Sequence, residues 1–233
     1  MIAGAGQPAG TGAAPDMRLL RALHFADSAF PSGGFAFSWG LETLLAEGRA
    51  DGRNLRGWIA AELRGRWHQF DRVALAGGFW HSGVALLAWD RIVDESIAAE
   101  GARLDSLRAG AALLASARAI GLAVDPAFAE ASDDRADAGH FPVVQGHVLA
   151  IAGLDLPAAL AVSATTAARG LSSAAVRLGR SGAISMQKDL LALMPLIADL
   201  AAAPPDRDTL PGSFAPLSDI ALMRPAAGRL FVN

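Results

Sequence analysis

The chain has 233 residues, of which 52% are hydrophobic and 18% charged, and its mean hydropathy is +0.32. This length suits one domain with a large apolar core. The formal net charge of -3 argues against general nucleic-acid binding, and the lack of cysteine excludes thiolate catalysis and cysteine-ligated metals. No stretch has the length and apolarity of a membrane span, so we expect a cytoplasmic protein.

The N-terminal sixteen residues are rich in Gly, Ala and Pro, and we expect them to form a disordered tail. Residues 17–27 have apolar side chains at helical spacing and predict the first helix. The stretch that follows, within 25–42 (FADSAFPSGGFAFSWGLE), contains Pro31 and the pair Gly33-Gly34. Proline fixes one backbone angle and glycine permits unusual ones, so these residues predict a tight turn between the first two helices.

Three aromatic residues alternate directly after this turn: Phe35, Phe37 and Trp39. Aromatic residues make up only 6% of the chain, so this concentration is marked. We expect Phe35 to lie in the core, because large aromatic side chains are usually buried. Phe37 or Trp39 is expected to stay partly exposed towards a partner.

Helical spacing of apolar residues continues along most of the remaining chain. The second predicted helix ends near Gly48, and the third begins at an Asn54 cap. Helical spacing continues over 71–89, with a break predicted at Gly77-Gly78 or Ser82-Gly83. Further helices are predicted at 91–100, 105–120, 140–153, 157–179 and 181–200. Residues 125–139 are polar and acidic and predict a solvated loop, and an irregular tail follows from about residue 204. The pattern predicts an all-α, single-domain helical bundle over residues 17–233.

The histidines give a weak signal for a metal site. His140 and His147 are seven residues apart and would share a face if both were helical. A third ligand is missing from the pattern, so a capping or interface role is favoured over metal binding.

Residues 25–42 contain partial patterns for two further kinds of chemistry. Gly33-Gly34-Phe35 lacks the remaining residues of a dinucleotide or phosphate loop, which argues against nucleotide binding. Ser28 or Ser38 beside His24 could in principle serve a small helical hydrolase, but no G-x-S-x-G motif is present. Serines in this context usually supply caps and turn bonds.

Basic residues cluster late in the chain. Between Leu156 and Asp189 there is no acidic residue, whereas Arg169, Arg177, Arg180 and Lys188 all fall in this interval. On one continuous helix the three arginines would span an arc of roughly 80°. This patch is either an ordinary solvated face or a surface for an acidic partner.

Four segments, in order, resemble the urease accessory protein UreF family. The stretch 25–42 is similar to the family's N-terminal signature, to which Pro31, Gly33, Gly34, Phe35, Ser38 and Glu42 belong. His140-Phe141-Pro142-Val143 resembles its H-aromatic-P-V segment, and residues 173–179 (SAAVRLG) resemble its S-A-A-V-R-L-G segment. Residues 216–221 and 229–231 resemble its C-terminal ending, although residues 224–228 depart from the family pattern.

The resemblance implies an all-α, non-enzymatic protein of urease maturation. It implies binding to a UreD/UreH-type protein and the GTPase UreG, modulation of that GTPase, delivery of nickel to apo-urease and possible homodimer formation. No cofactor is expected to be bound stably. Arg177 and Arg229 match the family at segments associated with partner contacts, and Arg169, Arg180, Phe37 and Trp39 complete the predicted interface. A hydrolase and a stand-alone nickel-binding protein remain as alternatives.

Overall fold

The computed structural model describes residues 16–31, 40–49, 54–134 and 138–212, and within these ranges the regular structure is entirely helical. The helices are α1 (Met17–Ala26), α2 (Leu41–Ala46), α3 (Leu55–Glu62), α4 (Arg72–Trp80), α5 (Gly83–Glu95), α6 (Glu100–Ala119), α7 (Pro126–Asp134), α8 (Phe141–Ile151), α9 (Leu156–Arg177) and α10 (Ala183–Ala201). A π-helical segment, Leu63–Asp71, joins α3 to α4. The predicted all-α, single-domain fold is confirmed.

The core consists of two hydrophobic clusters, and helices α4 and α8 contribute to both. One cluster joins them to α3, α9 and α10 through side chains such as Ile59, Leu160 and Leu190. The other joins them to α5, α6 and α7 through side chains such as Leu113 and Phe128. The pair α4 and α8 therefore lies between the two halves of the bundle. No helix within the described ranges is long and apolar enough to cross a membrane.

Glycine residues allow α4 and α8 to pack with their backbones almost in contact. A Cβ atom added at Gly78 would lie 2.2 Å from the Val143 carbonyl oxygen. A Cβ atom at Gly146 would lie 2.0 Å from the Leu75 carbonyl oxygen. Both separations are far shorter than a normal carbon–oxygen contact, so only glycine fits at these two crossing points.

The first helices begin and end largely as predicted. Helix α1 begins after Asp16, whose carboxylate accepts the Arg18 N–H at 2.9 Å. Asn54 caps α3 as predicted, with its side-chain oxygen accepting the Gly57 N–H at 3.1 Å. Helix α4 continues through Gly77-Gly78, and the chain breaks at His81-Ser82, next to the second of the two predicted sites.

The predicted solvated loop at residues 125–139 is wrong over most of its length, because Pro126–Asp134 forms α7. Asp125 begins this helix by accepting the Phe128 N–H at 3.2 Å. The Phe128 side chain is completely buried in the second cluster. Glu130 and Asp133 are exposed, and Asp133 pairs with Arg118 at 2.9 Å. One buried aromatic residue thus fixes a helix whose other residues are proline, alanine and polar side chains.

Candidate partner-binding surfaces

Helix α1 carries an apolar face that the described part of the protein leaves uncovered. Its inner side packs on the core through Ala22, Phe25 and Ala26. The outward residues, between 44% and 59% exposed, are Met17, Leu19, Leu20 and Leu23. Contiguous apolar surface of this kind typically marks an interaction site. The sequence predicted the helix, but periodicity alone does not show whether a second apolar face is covered.

The predicted arginine patch lies at the end of α9 and in the turn after it. Arg169 and Arg177 belong to α9 and are exposed, and Arg169 donates a 2.6 Å hydrogen bond to the Ala26 carbonyl oxygen at the end of α1. Arg180 lies outside the helix, since Gly179 has a φ of 68° and the Arg180 N–H bonds to the Ala175 carbonyl oxygen. The three residues therefore form a basic edge rather than one helical stripe.

A groove between α9 and α10 adjoins this basic edge. Its described lining includes Arg169, Ser172, Val176, Met186, Gln187 and Leu190. On the outer side of α10, Ile184 is 73% exposed and Leu191 is 72% exposed. Helix α9 packs against both α1 and α10, so the arginines and the groove belong to the helix that connects these two.

The described part of the N-terminal signature attaches the turn after α1 to α6. The aromatic rings of Phe25 and Phe30 pack edge to face with centroids 5.0 Å apart, and the Pro31 carbonyl oxygen accepts the Ser116 hydroxyl at 2.7 Å. The chain resumes at Gly40, whose φ of 78° begins α2, and Glu42 lies half-buried in the first turn of that helix. The other signature residues, Gly33, Gly34, Phe35, Phe37, Ser38 and Trp39, lie outside the described ranges, as does Arg229.

His140 lies fully buried at the start of α8, inside a hydrogen-bond network. Its Nε2 is 2.9 Å from an Asp94 carboxylate oxygen, and its Nδ1 is 3.2 Å from the Ser106 hydroxyl. The Ser106 hydroxyl also accepts the Phe141 N–H at 3.1 Å, and Arg103 pairs with Asp94 at 2.9 Å. The imidazole therefore links α8 to α5 and α6, and its ring makes no capping hydrogen bond to the described backbone of α8 itself.

Asp90 completes this network from α5. Its two carboxylate oxygens accept the Gly139 N–H at 2.7 Å and the His140 N–H at 2.9 Å. Burial raises the pKa of Asp90, although the two N–H donors and His140 oppose that effect. Since these donors precede the helix itself, the carboxylate fixes where α8 begins.

His147 lies in a separate environment, about two turns beyond His140 in α8. Its Nε2 accepts the Asp125 N–H at 3.1 Å, and burial lowers the pKa of the imidazole. In the part of the chain that the structure describes, no three or more His, Asp or Glu side chains are arranged so that they could hold a metal ion. Each of the two candidate histidines is thus held in its own hydrogen-bond arrangement, and a metal shared by them would have to displace these bonds.

The arrangement at His24 does not assemble a catalytic pair among the described residues. The imidazole packs edge-on against Phe25 and Phe30, with centroid distances of 5.2 Å and 5.3 Å. Ser28 lies exposed in the turn after α1, where the described bonds run from Ala29 and Phe30 to Asp27. Ser38 lies outside the described ranges.

The fold and these surfaces define the class: an all-α protein that carries exposed apolar and basic helix faces. The UreF family matches residues 50–194. A urease accessory protein UreF from Cereibacter sphaeroides (strain ATCC 17029 / ATH 2.4.9) is 35% identical over 211 residues, covering 88% of this chain and 93% of the relative. Relatives of the same name from Agrobacterium fabrum and Brucella ovis are 32% and 27% identical, covering 88% and 81% of this chain.

The chain therefore belongs to the UreF family of urease accessory proteins. This membership confirms the resemblance to the UreF family that the sequence motifs indicate. It also associates the chain with the machinery of urease maturation. It is a family of accessory proteins and not of enzymes, so the hydrolase alternative is wrong.

Proposed function

We propose that this protein is a cytoplasmic scaffold that binds a UreD/UreH-type protein and the GTPase UreG, modulates the GTPase and assists nickel insertion into apo-urease. The observation that carries the proposal is the family match, which extends over 88% of the chain at 35% identity. The apolar face of α1 that the described residues leave exposed and the basic edge of α9 support it, because a scaffold needs partner-binding surfaces. Formation of a homodimer through one of these surfaces is compatible with this role.

We assign the partner-binding role to the basic edge and to two segments outside the described ranges, residues 32–39 and 213–233. Arg177 and Arg229 are the foremost interface residues, supported by Arg169 and Arg180 and by Phe37 and Trp39 in the signature. Arginine suits such contacts because its planar guanidinium forms paired hydrogen bonds with carboxylates. A partner that presents acidic residues to α9 would therefore meet charge of the opposite sign.

Nickel is proposed to be handled by the complex and not held stably by this chain. The hydrogen bonds of His140 and His147 support this, since coordination would require both imidazoles to leave buried partners. The protein is also proposed to act without nucleic acid or a membrane.

Deletion of the gene in its own host tests the proposed function directly. We expect urease activity to be lost and to return when the wild-type gene is supplied, with added nickel restoring only part of it. The amount of urease polypeptide should stay unchanged, because activation and not synthesis is affected. Normal urease activity in the deletion strain would overturn the proposal.

Substitution Arg177→Glu tests the basic edge. We expect the affinity for the partner complex to fall about tenfold, or ~1.4 kcal/mol, because charge reversal places a carboxylate opposite the acidic partner surface. Binding is measured with purified proteins at two salt concentrations. The control is Arg91→Glu, which reverses an exposed arginine on α5 that pairs with nearby Glu95. Equal affinity of Arg177→Glu and wild type would remove this residue from the interface.

A further inference from the structure

A strap made of residues 203–212 follows α10 and lies along the π-helical segment and α4. It contains a turn closed by a 3.1 Å hydrogen bond from the Thr209 N–H to the Asp206 carbonyl oxygen. Pro205 and Pro211 are buried, while most other strap residues are exposed. The strap ends at Gly212, whose N–H donates to the Gln69 carbonyl oxygen at 3.0 Å. Residues 213–233, the C-terminal segment, begin from this point.

The π-helical turn changes which backbone carbonyl oxygen accepts the Arg72 N–H. The Arg72 N–H bonds to the Trp67 carbonyl oxygen, five residues back. In an α-helix this N–H would bond to the His68 carbonyl oxygen, four residues back. That oxygen instead accepts Nε of the Arg72 side chain at 3.0 Å. The wider turn thus fixes the orientation of the Arg72 guanidinium.

The same guanidinium reaches the start of the strap. Arg72 is only 9% exposed, and its Nη1 donates to the Ala203 carbonyl oxygen. Arginine can bridge two carbonyls in this way because its donors are held in one plane, whereas a lysine offers a single nitrogen. A second contact holds the middle of the strap, where the Arg207 guanidinium lies 5.0 Å from the centre of the Trp80 ring.

These contacts fasten the strap at its beginning, middle and end, all to the continuous helix that contains the π turn. We infer that Arg72 and the π turn anchor the strap and thereby fix the position from which the C-terminal segment starts. Arg72 is a positioning residue in this scheme and does not itself touch a partner. The inference rests on the proposed function only where it adds that a fixed position of Gly212, from which residues 213–233 continue, favours capture of the UreD/UreH-type partner.

The test compares hydrogen exchange in the full-length wild-type, Arg72→Met and Arg72→Lys proteins. Methionine keeps the aliphatic volume but removes both bonds, and lysine keeps the charge but cannot bridge the two carbonyls. We expect peptides covering residues 203–212 to exchange at least tenfold faster in both variants, with peptides from α8 unchanged. The matched control is Arg64→Met, which changes an exposed arginine on the same π-helical segment.

Unchanged exchange of the strap in folded Arg72→Lys protein would overturn the anchor. Partner binding is then measured on the same proteins, and we expect affinity to fall about fivefold in the Arg72 variants but not in Arg64→Met. Faster exchange with unaltered affinity would overturn the link to partner capture. If wild-type protein fails to bind the partner, the proposed function fails, while the exchange experiment still decides whether the anchor exists.

Discussion

Substitution Gly146→Ala should lower the free energy of unfolding by about 3 kcal/mol, even though alanine is the better helix former. The added Cβ would lie 2.0 Å from the Leu75 carbonyl oxygen and 2.9 Å from the Phe79 amide nitrogen. Both atoms belong to the backbone of α4, so relief requires helix α4 or α8 to move. Since these helices contribute to both hydrophobic clusters, such a movement would disturb packing on either side.

The control for this change is Gly65→Ala, at a helical position where, among the described residues, no atom beyond the local helix backbone lies within 4 Å of the added Cβ. There the higher helix propensity of alanine should act alone and raise the free energy of unfolding by a few tenths to ~1 kcal/mol. Urea denaturation of both variants gives the comparison. If Gly146→Ala were as stable as Gly65→Ala, α4 and α8 could not approach as closely as the structure shows.

Much of the fold was predictable because apolar periodicity was strong. The caps at Asn54 and the ends of α8, α9 and α10 follow local rules that one sequence reveals. The loop predicted at 125–139 failed because a single buried residue, Phe128, outweighed the polar and acidic composition of α7. The pair Gly77-Gly78 predicts a break, whereas in α4 its small size permits close packing, of Gly77 on Trp89 of α5 and of Gly78 on the Val143 backbone of α8. That packing depends on residues of other helices.

The candidate surfaces were less predictable, because exposure is a property of the folded chain. Helical spacing identified α1, but the apolar face around Leu23 is visible only once the position of α9 is known. A common helical face for Arg169, Arg177 and Arg180 requires one continuous helix, and the left-handed conformation of Gly179 instead puts Arg180 in the turn. The anchor at Arg72 has no sequence signal, since a π turn is not distinguished from an α turn by apolar spacing.

The network around His140 shows how a family motif can have a structural basis. The His140-Phe141-Pro142-Val143 segment begins α8, and its polar groups are bound by Asp90, Asp94 and Ser106 from two other helices. Because burial raises the pKa of Asp90, its charge is not what stabilises the fold. Its value lies in accepting two buried N–H groups that have no helical partner of their own.

Substitution Asp90→Ala should therefore lower the free energy of unfolding by about 3 kcal/mol or more, since two buried N–H groups lose their acceptor. The matched control is Asp155→Ala, which removes an exposed carboxylate that accepts the Ala158 N–H at 2.9 Å, and ~1 kcal/mol is expected there. Urea denaturation measures both losses, and hydrogen exchange of residues 138–141 shows whether the start of α8 opens. A loss no larger than that of Asp155→Ala would mean that water replaces the carboxylate, and that the beginning of α8 is fixed by Ser106 and Asp94 instead.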